Sequence, residues 1–244
     1  VWFVWFVVKK PPLDQPCSAL WKTMLLGTTA HTPSRLFVGS SKRLIDLVVS
    51  GLAMILLAPA LLCLALAIRL SSPGPALFRQ QRAGRQGRPF TLLKFRTMRT
   101  AVDPFGPSPR SGDDPRLTPV GRFLREHSLD ELPQLWNVLA GHMSLVGPRP
   151  LYVSQVAEWD HRQRRRLEVR PGLTGLAQIA GRADLTIEQK LELDVRYVES
   201  ASLWLDLKIL LATASLVFHS RGIYERQYSQ SETTRGAASA HSRM

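Results

Sequence analysis

The sequence predicts a mainly helical α+β protein seated on a membrane, with a small β-hairpin beside its membrane element. Three observations carry this. Residues 47–68 include no charged side chain, and residues 47–102 include neither Asp nor Glu. Two short stretches, 75–82 and 89–98, flank the turn residues Gly84, Arg85, Gln86 and Gly87, the pattern of a hairpin. Helix starts and helical spacing of apolar residues then recur through the second half.

A length of 244 residues allows one or two domains. The balance of 32 basic against 19 acidic residues gives a net charge of +13. Charge alone would fit a nucleic-acid binder, but such a protein does not need a long uncharged run. A run of that length also excludes an ordinary soluble enzyme as the first expectation. Cys17 and Cys63 cannot build a disulfide framework, and the six histidines show no zinc-binding spacing. There is no Walker loop and no dinucleotide fingerprint.

Residues 1–41 read as an N-terminal extension, interfacial or partly disordered. The apolar start, Val1 to Val8, is too short to span a bilayer and lacks a leading positive charge, so it reads as an interfacial anchor or a trimmed remnant. The membrane element is expected over 44–70. Its uncharged part would reach about 33 Å as a helix, enough for one crossing. Lys42 and Arg43 precede it, however, while Arg69, Arg79, Arg82, Arg85 and Arg88 follow it. Both flanks therefore favour the cytoplasmic face. Pro59, after Ala58, removes a helical hydrogen bond and supplies a place to bend. A re-entrant helix, a kinked crossing helix and a buried soluble helix remain open on these grounds.

Thr118 and Pro119 form an N-cap followed by Pro at N1, opening a helix over 120–127. Ser128, Leu129, Asp130 and Glu131 open the next helix, with either Ser128 or Asp130 as its cap; Leu132, Leu135, Trp136 and Leu139 make its apolar face. Further helices are expected over 151–169, 186–199 and 203–218, the last one interfacial. The domain proper is set at 42–220, followed by a disordered tail over 221–244.

Asp130 and Glu131 are the most concentrated polar signal. Carboxylates at a helix entrance suit a nucleophile or a metal ligand, although they suit simple capping equally. Arg149 stands between Pro148 and Pro150, which leaves its guanidinium little freedom and makes it a candidate clamp for an anion. Arg170 and Arg182 also sit beside Pro or Gly. Acidic pair, basic clamps and membrane element together point to a phosphorylated substrate at the interface, with Mg²⁺ as the fitting metal.

The segments Lys42-Arg43-Leu44-Ile45-Asp46, Gly74-Pro75-Ala76-Leu77-Phe78, Arg82-Ala83-Gly84 and Lys94-Phe95-Arg96-Thr97-Met98 come first. Ser128-Leu129-Asp130-Glu131-Leu132-Pro133-Gln134, Val146-Gly147-Pro148-Arg149-Pro150, Val169-Arg170-Pro171-Gly172-Leu173-Thr174-Gly175, and Leu193-Asp194 before Tyr197-Val198 follow in order. In this series the sequence resembles the bacterial sugar transferases, the monotopic polyprenyl-phosphate phosphoglycosyl transferases, over about residues 42–220.

The resemblance implies transfer of a sugar 1-phosphate from a UDP-sugar to polyprenyl (undecaprenyl) phosphate with release of UMP, starting a lipid-linked glycan for exopolysaccharide, capsule or O-antigen. It implies Asp130 as nucleophile, Glu131 as Mg²⁺ ligand, and Arg149 near the active site; an anion-binding role extends to Arg170 and Arg182. It further implies a re-entrant helix at the cytoplasmic face of the bacterial inner membrane, and polysaccharide-assembly proteins as partners. One departure is Ala58-Pro59 where the family has Ser-Pro, which removes a hydroxyl that could satisfy a freed carbonyl. The short stretch ahead of Lys42 implies a small family form or a fragment. Direct attack by the lipid phosphate, a non-catalytic assembly protein and a basic nucleic-acid module are the competing readings.

Overall fold

The computed structural model describes residues 35–100, 102–103, 109, 111–181 and 185–219. Helix α1 runs from Arg35 to Ser71, beginning ahead of Lys42, and carries Pro59 inside a continuous helical stretch. Its 37 residues extend about 55 Å along the helix axis. One stripe of α1 packs on the rest of the protein along both halves: Asp46, Ser50, Ala53, Met54 and Leu57, then Leu61, Leu64, Ala65 and Ile68. These positions recur every three or four residues, which keeps them on one face. The opposite face leaves Val48, Leu52, Ile55, Leu56, Leu62, Leu66 and Leu70 exposed, which suits hydrocarbon and not water.

Both ends of α1 are fastened to the same body. At the start, Lys42 pairs with Asp206, and Arg43 donates to the carbonyls of Val138 (2.6 Å) and Leu139 (2.9 Å). At the end, the Arg96 guanidinium donates to the carbonyls of Ser72 and Pro73. The expected Ala58-Pro59 break is a proline within one helix; it does not separate two assigned helices.

The hairpin pairs β1 (Leu77–Ala83) with β2 (Pro89–Phe95), antiparallel, with Leu77 opposite Phe95 and Ala83 opposite Pro89. The expected turn is present as a 3₁₀ turn over Arg85–Gly87, in which Gln86 and Gly87 take positive φ of 58° and 73°. Helix α2 (Pro119–Glu126) starts as expected, the Thr118 hydroxyl accepting from the Gly121 amide at 2.9 Å.

The acidic pair departs from both capping expectations. Ser128 takes a left-handed conformation (φ 56°) without a side-chain cap, and Leu129–Glu131 forms a single 3₁₀ turn. The α-helix proper, α3, covers only Gln134–Leu139, because Pro133 cannot donate within a longer helix. The structure then adds what periodicity did not reveal: β3 (Ser144–Val146) lies parallel to β4 (Gly172–Thr174).

The long helix expected over 151–169 is three short pieces instead: a 3₁₀ turn at Ser154–Glu158, α4 at His161–Arg164 and a 3₁₀ turn at Arg165–Glu168. The cause is local. Trp159 is extended, and Asp160 caps a new helix by accepting from the Gln163 amide at 2.8 Å. Helices α5 (Leu176–Ala180), α6 (Ile187–Ser200) and α7 (Leu203–His219) complete the body. Asp206, which interrupts the apolar pattern of α7, is buried and ties the helices together. It pairs with Lys42 and accepts from the Tyr197 hydroxyl at 2.7 Å, while the Val146 carbonyl, 3.2 Å from the same hydroxyl, shares that single proton more weakly.

Candidate active site

The site is built where the Asp130 turn, strand β2 and the segment after β3 meet. Strand β3 is fixed first. Asp46 of α1 accepts from the Leu145 amide (2.9 Å) and the Ser144 hydroxyl (3.1 Å), so the long apolar helix itself sets the strand that leads to Arg149. Gly147 lies so close to the backbone of β4 that a side-chain carbon would stand 2.5 Å from the Arg170 carbonyl; only glycine fits there.

Arg149 then reaches Glu131, its Nη2 lying 2.8 Å from Oε1, and Lys94 of β2 donates to the same oxygen at 2.9 Å. Burial raises the affinity of the Glu131 carboxylate for a proton, but Arg149 and Lys94 together outweigh it and hold the group well below the usual carboxylate range. Asp130 behaves oppositely. It is 8% exposed, and burial pushes its carboxyl up, Lys94 pulls it down and neighbouring Glu131 pushes it further up. No hydrogen bond is made to the Asp130 carboxylate among the described residues. An anion with lone pairs not already engaged is what a nucleophile requires.

Behind Arg149 lies a buried support. Arg166 donates through Nε (3.1 Å) and Nη2 (2.6 Å) to Asp194 Oδ2, and Nη2 also donates to the Arg149 carbonyl at 2.6 Å. The Arg166 guanidinium also lies over the Trp159 ring at 4.7 Å. Burial raises the Asp194 carboxyl to about 6, against the opposing pull of Arg166. This network orients the main chain that carries Arg149. Arg82 of β1 lies on the Tyr152 ring at 3.7 Å, and its Nε is buried with no acceptor among the described residues. Burial lowers the Arg82 guanidinium, and the nearby Arg149 charge adds to that, so two cations face this side of the site.

Asp130, Glu131 and Arg149 thus come together as the sequence led one to expect. Arg170 lies elsewhere: its Nε donates to the Gly141 carbonyl at 3.0 Å, at the end of α3. Arg182 lies outside the described residues. Sequence reasoning assigned no role to Arg166 or Asp194 and left Lys94 and Arg82 among the general basic charges of the hairpin. Lys94 and Asp194 stood in quoted motifs, but their partners are distant in sequence.

Among the described residues no three His, Cys, Asp or Glu side chains gather as a ready metal cage. Two adjacent carboxylates, one of them without a hydrogen-bond donor, still suit Mg²⁺, which takes few protein oxygens and completes its shell from phosphate and water.

The sequence profile of the bacterial sugar transferase family matches residues 37–220. The UDP-glucose:undecaprenyl-phosphate glucose-1-phosphate transferase of Caulobacter vibrioides is 44% identical over 225 residues, covering 86% of this chain and 82% of that protein. An uncharacterized sugar transferase of Bacillus subtilis, EpsL, is 44% identical over 82% of this chain and 98% of its own length. The Escherichia coli protein with the same name as the Caulobacter one is 42% identical over 75% of this chain, which spans 41% of that longer relative. With the profile covering α1 through α7 and these relatives aligned along most of the chain, the protein belongs to the bacterial sugar transferase family.

Proposed function

We propose that the protein is a phosphoglycosyl transferase that moves a sugar 1-phosphate from a UDP-sugar to undecaprenyl phosphate. The single observation that carries the reading is the buried Asp130 beside a Glu131 held anionic by Lys94 and Arg149. The names of the relatives support the substrate pair, with UDP-glucose as the first donor to test.

In this reading an Asp130 oxygen attacks the sugar-bearing phosphorus of the UDP-sugar. The bond from that phosphorus to the bridging oxygen breaks, and UMP leaves with the electron pair. The resulting acyl phosphate is attacked at phosphorus by an oxygen of undecaprenyl phosphate, which restores the Asp130 carboxylate and forms the diphosphate-linked lipid. Arg149 offsets phosphate charge, and Arg82 adds a second cation from β1. Glu131, with Asp130 adjacent, would hold Mg²⁺, which when bound offsets charge on the diphosphate. Asp194 and Arg166 keep the Arg149 main chain in place.

The acceptor phosphate is tethered to a long lipid, so the site must sit at a bilayer surface. The exposed apolar face of α1, fastened at both ends to one body, supports a re-entrant seat with both flanks on the cytoplasmic side of the inner membrane. The family resemblance supports a place at the start of a lipid-linked glycan, alongside other polysaccharide-assembly proteins. A panel of UDP-sugars offered with undecaprenyl phosphate and Mg²⁺ to the detergent-purified protein tests the reading. One sugar should release UMP in step with lipid product. Failure of every sugar would remove the enzymatic reading and leave the scaffold alone.

A further inference from the structure

Three arginines gather outside the Asp130 centre. Arg43 gives Nη1 and Nη2 to the last carbonyls of α3, Val138 and Leu139, and Arg170 gives Nε to Gly141 just beyond them. Arg85, at the hairpin turn, donates Nε to the Glu168 carbonyl at 3.0 Å, two residues before Arg170. Each guanidinium carries five donors, so most remain available for another partner. None of the three forms an ion pair with a carboxylate among the described residues.

The electrostatics are one-sided. Burial lowers the Arg170 guanidinium, Arg43 and Arg85 lower it further, and only Asp46 acts in the other direction. Asp46 already accepts from Leu145 and Ser144. The C-terminal end of a helix carries about half a negative charge, which cannot balance three cations. The surplus calls for an external anion. Glu131 and Arg149, by contrast, neutralise each other at the catalytic pair and do not figure among the charges acting on Arg170.

The place of Arg43 narrows the anion's class. It lies one helical turn ahead of the uncharged stretch 47–68 of α1, with Asp46, already engaged by Leu145 and Ser144, between them, so in the membrane-seated reading it stands at headgroup depth. Planar guanidinium forks match phosphate oxygens. We propose that Arg43, Arg85 and Arg170 form a binding site for the phosphate of a membrane lipid, distinct from the Asp130 centre. The site would hold the protein at the headgroup layer and orient the body over the bilayer. It rests on the membrane-seated reading of α1 but not on the nucleophile assignment.

Binding is measured on the full chain in neutral detergent micelles doped with phosphatidylglycerol, undecaprenyl phosphate or zwitterionic phosphatidylcholine, with inorganic phosphate as a soluble probe. Wild-type protein should bind the anionic lipids over phosphatidylcholine, and the tighter of the two identifies the source of the phosphate. Arg85→Gln, which leaves the α3 carbonyl contacts intact, should weaken anionic-lipid binding about fivefold, the effect of one basic residue near a charged surface. The Arg43→Gln and Arg170→Gln pair should weaken it further, with folding checked by thermal unfolding. Arg79→Gln removes an exposed hairpin charge outside the cluster and should change binding less than twofold. Asp130→Asn should retain binding whatever its effect on turnover.

Unchanged lipid affinity in Arg85→Gln and in the pair would overturn the proposal. Equal loss in Arg79→Gln would overturn it too, by assigning the attraction to diffuse charge. Loss in Asp130→Asn would merge this site with the catalytic one, and preference for inorganic phosphate over both lipids would exclude a lipid ligand.

Discussion

Arg149 and Glu131, eighteen residues apart, meet at 2.8 Å on an oxygen that also receives Lys94. The pair is not a surface ornament. Its acid comes from a 3₁₀ turn and its base from a proline-flanked segment positioned by β3, so the contact joins the two halves of the site. Because Glu131 keeps its charge through this contact, the site presents a fixed anion and a fixed cation side by side, the charges that Mg²⁺ and substrate phosphates would meet in the proposed reaction.

Arg149→Lys preserves the charge but loses the planar fork and shortens the reach to Glu131. Turnover should fall at least tenfold in an assay of UMP release, while recovery of the protein in the membrane fraction stays near wild type. Wild-type turnover would assign Arg149 to general electrostatics.

The Arg166–Asp194 pair is nearly inaccessible, with side chains 2% and 3% exposed. Removing one partner leaves an uncompensated buried charge, so Asp194→Ala should lose about 3–5 kcal/mol of stability in denaturant unfolding. The Arg166→Met and Asp194→Leu pair should recover part of that loss. The folded carboxyl titrates near 6, above the ordinary value of 3.8. The folded state therefore holds this proton more tightly, and the associated stability is full below about pH 4 and declines as pH rises through 6. Asp194→Asn should flatten the unfolding profile across that window.

How much of this was legible in the sequence depends on range. The uncharged stretch, the hairpin turn and the Thr118-Pro119 start are local signals, and each appears where its residues stand. The segment 151–169 failed because proline boundaries were taken to frame one helix, whereas Asp160 starts its own. Arg166, Asp194 and Lys94 act through partners 17 to 37 residues away, which no spacing rule exposes. Arg170 resembled a clamp by its proline neighbour, yet its local backbone turns it to the end of α3.

Topology gives the third prediction. In a background without native cysteines, single cysteines near residues 41 and 72 should both escape an impermeant reagent in sealed, right-side-out cells and both react after permeabilisation. Labelling of one alone in intact cells would establish a crossing helix. Pro59→Leu restores an internal hydrogen bond and should move the protein toward that crossing state.

The fourth concerns Asp130. With a reactive UDP-sugar and Mg²⁺ but no lipid, the protein should release at most one UMP per site and gain the mass of one sugar phosphate. Asp130→Asn keeps the size but presents a neutral amide, so both signals should vanish; Glu131→Gln should slow metal-dependent turnover without abolishing the adduct. Burial raises the Asp130 carboxyl, and only the ionised form attacks. The rate of UMP release should therefore decline on acidification, and the same profile in Asp194→Asn separates loss at Asp130 from protonation of Asp194, whose carboxyl lies at about 6. Near-normal transfer to lipid by Asp130→Asn would instead make the lipid phosphate the attacking group, with Asp130 serving only to position the metal.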